Sequence, residues 1–109
     1  MSRTEQRGTA PDGGDLTRFQ MEICYLLAAS EGQSDYGLGL KRKLEAYYGE
    51  EVNHGRLYPN LDALVEAGYV AKRRQDKRTN TYELSDAGAE LVQADAADRA
   101  DAVDQLEGH

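Results

Sequence analysis

Five cations fall within seven residues, Lys72, Arg73, Arg74, Lys77 and Arg78, in a chain whose formal net charge is −7. A basic window on an acidic chain is either a local site for a polyanion or a solvated hairpin tip. No other chemistry-bearing residues group in this way. The two histidines, His54 and His109, lie far apart with no cysteine pair beside them, so no metal centre is expected. The one cysteine, Cys24, sits between Ile23 and Tyr25, where a free thiol acts as a small buried hydrophobe. A redox role for Cys24 would require exposure and a nearby cation, and the nearest basic residue in sequence is Arg18. The chain has no glycine-rich phosphate loop, no Ser/His/Asp arrangement and no paired carboxylates, so an enzyme and a bound cofactor are not expected.

The chain that positions the basic window has 109 residues, enough for one small domain. Hydrophobic residues make up 39%, so the core is small and pairing with a second subunit would help it. No apolar run is long enough to cross a bilayer. Residues 1–15 contain no apolar stretch of a secretory signal, and a single cysteine builds no disulfide framework, so the expected compartment is the cytoplasm. Charge is unevenly spread. Residues 16–84 hold ten basic and ten acidic side chains, whereas residues 85–109 hold seven acidic ones against Arg99 alone. Arginine outnumbers lysine nine to four and phenylalanine occurs once, a composition similar to that of proteins from extreme halophiles.

Residues 1–15 mix Gly, Pro, Asp and Thr without periodicity and read as a flexible N-terminal arm. Thr17 and Gln20 have the spacing of a capping box. Phe19, Ile23, Leu26, Leu27 and Ser30 then follow helical spacing up to a stop at Gly32. Ser34 or Asp35 is the expected cap of a second helix, with Tyr36, Leu40, Leu44 and Tyr47 on one face and Gly49 at its end. Lys41, Arg42 and Lys43 are directed mostly away from that face. Asn53 caps a third helix that buries Leu57, Leu61, Leu64 and Val65 and stops at Gly68. Pro59 lies awkwardly inside it, and its missing donor does least harm near the first turns. Residues 69–74 and 81–84 read as two strands joined by a polar turn. Ser85 caps a last helix to about Leu106, on which Ala89, Val92, Ala96, Arg99, Val103 and Leu106 make a weak heptad-like seam. So acidic a helix gains little alone and is expected to pack on a partner.

Three helices, a two-stranded wing and a helix make a mainly α winged helix-turn-helix (residues 16–84) with an added C-terminal dimerisation helix (residues 85–109). Such a unit presents the head of its third helix to base edges in the major groove of DNA and its wing to the backbone or minor groove. Tyr58-Pro59-x-Leu61-x-x-Leu64-x-x-x-Gly68-Tyr69-Val70, followed by Tyr82-x-Leu84-Ser85-x-x-Gly88, resembles the PadR family of transcriptional regulators. The opening residues 16–20 and the Tyr36-Gly37 pair match as well, so the resemblance covers residues 16–92. Within the family the composition is most similar to that of a haloarchaeal regulator associated with the response to reactive oxygen species.

The resemblance implies a homodimer on double-stranded promoter DNA. It maps DNA contacts to Asn53, His54, Gly55, Arg56 and Tyr58 and to the wing residues Lys72, Arg73, Arg74, Lys77 and Arg78. The Arg56 guanidinium can grip guanine O6 and N7 together, or else hold a phosphate. Tyr58 either offers its hydroxyl to a phosphate or packs its ring on the first helix. Cations between carboxylates and phosphates are expected partners at so acidic an interface, and no membrane partner is expected. The competing reading is a winged-helix module that binds protein in a transcription or replication complex, which the net charge of −7 favours and the basic wing disfavours.

Overall fold

A computed structural model describes residues 16–108. The 1–15 arm and His109 lie outside the described residues. The first helix, α1 (Arg18–Ala29), opens on the expected capping box: Gln20 N donates to Thr17 Oγ1 and Thr17 N donates to Gln20 Oε1, each at 3.1 Å. It ends at Ser30, and Gly32 lies beyond it in a short 3-10 turn (Glu31–Gln33).

The next residues depart from expectation. Ser34–Tyr36 do not open the second helix but form a strand, β1, that pairs antiparallel with β3 (Asn80–Leu84), Asp35 opposite Tyr82. The other edge of β3 pairs with β2 (Val70–Arg74), giving a three-stranded sheet of order β1-β3-β2 where a two-stranded hairpin was expected. The physical reason is the long-range pairing itself. A lone hairpin leaves the far edge of β3 with unpaired backbone groups, and three extended residues before α2 cover it. No local periodicity marks so short a strand.

Helix α2 (Gly37–Tyr48) therefore starts at Gly37 with no side-chain cap. Leu40 and Leu44 are fully buried, but Tyr36 and Tyr47, expected on the same stripe, are each half exposed. Gly49 closes α2 and Gly68 closes α3 (His54–Ala67) in the left-handed conformation, φ 74° and 88°, which glycine enters without a Cβ penalty. Asn53 caps α3 as expected, accepting from Arg56 N at 2.8 Å.

The core gathers Ile23, Cys24 and Leu27 of α1, Leu40 and Leu44 of α2, and Leu57, Leu61 and Leu64 of α3 beneath Tyr82 and Leu84 of the sheet. The last helix, α4 (Asp86–Glu107), is capped by Ser85 through Gly88 N. Gly88 lets α4 press on the sheet, since a Cβ there would collide with the Tyr69 carbonyl and the Leu84 side chain. Val92 reaches the core, and Tyr25 of α1 donates its hydroxyl to Asp95 Oδ2 at 2.7 Å. Beyond Asp95 every described residue of α4 is exposed, with Val103 at 48% and Leu106 at 83%. The expected seam thus splits: Ala89 and Val92 join the monomer core, Ala96 and Arg99 line a cleft with Arg18, Met21 and Tyr25 of α1, and Val103 and Leu106 stay exposed.

Candidate nucleic-acid interface

The head of α3 is held by local bonds. With the Asn53 carboxamide satisfying Arg56 N, the first turn of α3 is fixed. His54 and Tyr58, one turn apart, stack with ring centroids 5.5 Å apart and planes 6° from parallel. Asn53, His54, Gly55 and Arg56 are all exposed, and Tyr58 is half-buried. The Tyr58 ring sits so close to Gly37, at the start of α2, that no larger residue fits there without displacing it. Arg56 extends toward α1, its guanidinium carbon 4.0 Å from the Phe19 ring centroid and 5.7 Å from that of Tyr48.

The wing turn between β2 and β3 is organised by Asp76. Its Oδ1 accepts from Arg78 N and Thr79 N at 2.9 Å each, and these donors hold its carboxyl below the usual carboxylate range. Lys72, Arg73, Arg74, Lys77 and Arg78 are all exposed. They are not equally available. Lys72 faces Asp62 at 3.8 Å and Arg73 Nε pairs with Glu83 Oε1 at 3.0 Å. Among the described residues no ion pair involves Arg74, Lys77 or Arg78.

Tyr58 and the Arg78 end of the wing turn meet in one groove of about 730 Å³, bounded also by Tyr36, Gly37, Leu38 and Arg42 of β1 and α2 and by Thr79 and Asn80 of the wing. Sequence reasoning missed Tyr36 and Arg42 as members of this site. The signal in the chain is slight, a run of small residues, Gly37 and Gly39, at the start of a helix. The carboxylate of Asp35 also borders the groove, with Lys43 Nζ 2.7 Å from its Oδ2. The groove carries the Arg42 and Arg78 guanidiniums and the Tyr36, Tyr58 and Thr79 hydroxyls, groups of the kind that bind phosphate oxygens. Of the expected contacts only Tyr58 and Arg78 line it; Asn53, His54, Gly55 and Arg56 at the head of α3, and Lys72, Arg73, Arg74 and Lys77 of the wing, lie outside it.

Cys24 is fully buried, and burial pushes its thiol up to about 12. The surroundings are those of a packed core side chain. Among the described residues no group of three or more His, Cys, Asp or Glu could hold a metal ion, and no helix is long and apolar enough to cross a membrane.

Comparison with solved structures gives RosR of H. salinarum, from crystals grown from NaBr, at 46% identity and a TM-score of 0.75, covering 89% of this chain and 94% of that one. A complex structure of the same regulator, with RosR-S1, matches at 46% identity and a TM-score of 0.75 over 90% and 94% of the two chains. A PadR family transcriptional regulator from Eggerthella lenta shares the fold at 20% identity, with a TM-score of 0.63 over 84% of this chain and 82% of that one. No curated protein sequence matches the chain. The family model of the PadR-like transcriptional regulators matches residues 26–94, which run from the last turn of α1 through α2, α3 with its Tyr58-Pro59 motif and the sheet to the base of α4. The chain therefore belongs to the PadR-like family of transcriptional regulators.

Proposed function

We propose that this chain is a sequence-specific regulator that binds double-stranded promoter DNA as a homodimer and serves the oxidant response of a halophile. The observation that carries the DNA reading is the single groove shared by the start of α2, Tyr58 and the wing, with Arg42 and Arg78 on its rim. Asn53, His54, Gly55 and Arg56 stand at the head of the neighbouring helix, where side chains reach base edges in this class of fold. Arg74, Lys77 and Arg78, and with them Lys72 and Arg73 once their carboxylate partners yield, serve the backbone. The halophilic reading draws on the acidic surface and on the likeness to RosR of H. salinarum at 46% identity. The dimer reading draws on the outer face of α4, where Val103 and Leu106 stay exposed. Cations between its carboxylates and DNA phosphates would relieve the repulsion of an acidic dimer by a polyanion.

The decisive experiment compares two substitutions on an operator chosen by the protein from a random duplex pool. Arg56→Ala is expected to lose about 1–3 kcal/mol on that operator and to relax preference at one base pair. Arg78→Ala is expected to weaken operator and unrelated duplex alike, because phosphate contacts carry little sequence information. Wild-type affinity in the wing variant, measured by band shift, would sink the electrostatic assignment. Failure of the wild-type protein to bind any duplex would favour the protein-binding module instead.

A further inference from the structure

The aromatic cluster where α1, α2 and α3 meet is built around Arg56. Phe19, the chain's one phenylalanine, is 5% exposed, although the guanidinium is what covers one face of its ring. Tyr48 stacks beside Phe19 with centroids 6.0 Å apart and planes 20° from parallel, and Tyr47 meets Tyr48 edge-on at 4.9 Å. A second tie reaches the same residue through the backbone. Asn60 Nδ2 donates to the Arg56 carbonyl at 2.7 Å, while Asn60 Oδ1 accepts from Gln20 Nε2 at 2.9 Å. Gln20 is itself locked to Thr17 in the capping box of α1. Side chain and main chain of Arg56 are thus both registered on the first turn of α1.

An arginine free in solvent loses much rotamer freedom when it grips a base. One already seated on a ring has lost most of it before DNA arrives, which is preorganisation. Stacking uses the flat face of the guanidinium and leaves the N–H donors at its edge free for an acceptor pair. We propose that Phe19 and Tyr48 are positioning residues for sequence specificity: they seat the Arg56 guanidinium so that its donor edge is aimed before the protein meets a base pair. This rests on the reading of α3 as the base-reading helix.

The test uses the full chain and two duplexes, the selected operator and the same operator altered at the base pair whose preference Arg56→Ala relaxes. Phe19→Leu keeps apolar bulk and removes the ring. Its ratio of affinities for the two duplexes is expected to fall about two- to fivefold, the range of an exposed cation–π contact, with binding to the altered duplex unchanged. Phe19→Tyr is expected to restore the ratio, and Phe19→Leu to add nothing in an Arg56→Ala background. An unchanged ratio in Phe19→Leu overturns the proposal, and so does an equal loss on both duplexes, which is what a merely structural role would give. Should Phe19→Leu fail to fold, the half-buried Tyr48 supplies the same comparison through Tyr48→Leu against Tyr48→Phe. A readout independent of DNA is the NMR shift of the Arg56 side-chain protons, moved upfield by the ring in wild type. Ordinary shifts there would overturn the seat. A wild-type protein that binds duplexes without preferring any sequence would fail differently, by removing the base-reading role of α3 while the ring-current shift persists.

Discussion

Cys24 shows how burial decides the chemistry of one side chain. With its thiol pushed up to about 12 and no exposed surface, only about one molecule in ten thousand holds a thiolate at pH 8. Native protein is expected to resist a disulfide reagent such as Ellman's until it is unfolded by denaturant, and Cys24→Ala is expected to keep DNA binding and the peroxide response. Rapid labelling of the folded chain would return Cys24 to the role of sensor. Asp95 is the opposite case, a carboxyl whose charged form is supported. Arg99 Nε at 2.8 Å is the main cause and the Tyr25 hydroxyl the second, and together they hold it below the usual carboxylate range. A depressed carboxyl contributes stability above its unfolded pKa, and that contribution is lost as pH falls through the lower folded value. The tie between α1 and α4 is therefore expected to be constant from neutrality to about pH 4 and to weaken below it. Because the Arg99 partner is largely exposed, the effect is a few tenths of a kcal/mol. Urea midpoints measured against pH should fall slightly more in acid for wild type than for Asp95→Asn, which keeps the acid loss of other depressed carboxyls such as Asp76.

At the scale of the element, α4 divides by burial. Its first turns complete the core through Gly88 and Val92, while its outer turns carry exposed Val103 and Leu106 among carboxylates. A helix of 22 residues is about 33 Å long, and burying only one end of it leaves most of its apolar side chains in water. A chain cut after Leu91 is expected to sediment as a monomer and the full chain as a dimer. Circular dichroism would confirm that the shortened chain keeps its fold. A full-strength dimer from the shortened chain would move the interface away from the outer turns of α4. The sheet makes the complementary point. β1 adds only three residues, yet it sets where α2 begins and so brings Arg42 to the rim of the groove.

At the scale of the molecule, the fold is elongated, 54 × 38 × 25 Å, and its charge is unevenly spread along the chain. The basic wing lies in a charge-balanced body, and the carboxylates of residues 85–109 outnumber its one arginine by six. An isologous dimer would set two α3 helices about 34 Å apart on one face of DNA. It would also bring a formal charge of −14, twice that of one chain, to a polyanion. Ordinary DNA binders lose affinity steeply with salt because counterions are released. In the proposed complex cation uptake between carboxylates and phosphates would oppose that release, and the Debye length falls to about 3 Å at 1 M, which screens distant repulsion more than direct contact. Operator affinity is accordingly expected to stay flat or rise across roughly 0.2 M to several molar KCl, read by anisotropy. A steep and continuous loss would defeat the halophilic reading and leave the fold untouched.

Local rules in the sequence determined most of the elements. Thr17 with Gln20, Asn53 and Ser85 marked three helix starts, and Gly49 and Gly68 two ends, because caps and left-handed turns are settled by neighbours a few residues apart. The buried stripe of Leu57, Leu61 and Leu64 was legible for the same reason, as period in sequence becomes a face on a helix. The charge window at residues 72–78 and the Tyr58-Pro59 motif pointed to the wing and the head of α3 without any coordinates. What joins them is non-local. The pairing of Ser34–Tyr36 with β3, the groove from Arg42 to Arg78, and the seat of Arg56 on Phe19 and Tyr48 all bring together residues distant in the chain. Ser34–Tyr36 is too short for a periodic signal, and the exposed Tyr36 and Tyr47 fitted the apolar face of α2 as well as Leu40 and Leu44 did. Their placement was decided by which edges and ring faces the packed core left open, a property that exists only once the elements have met.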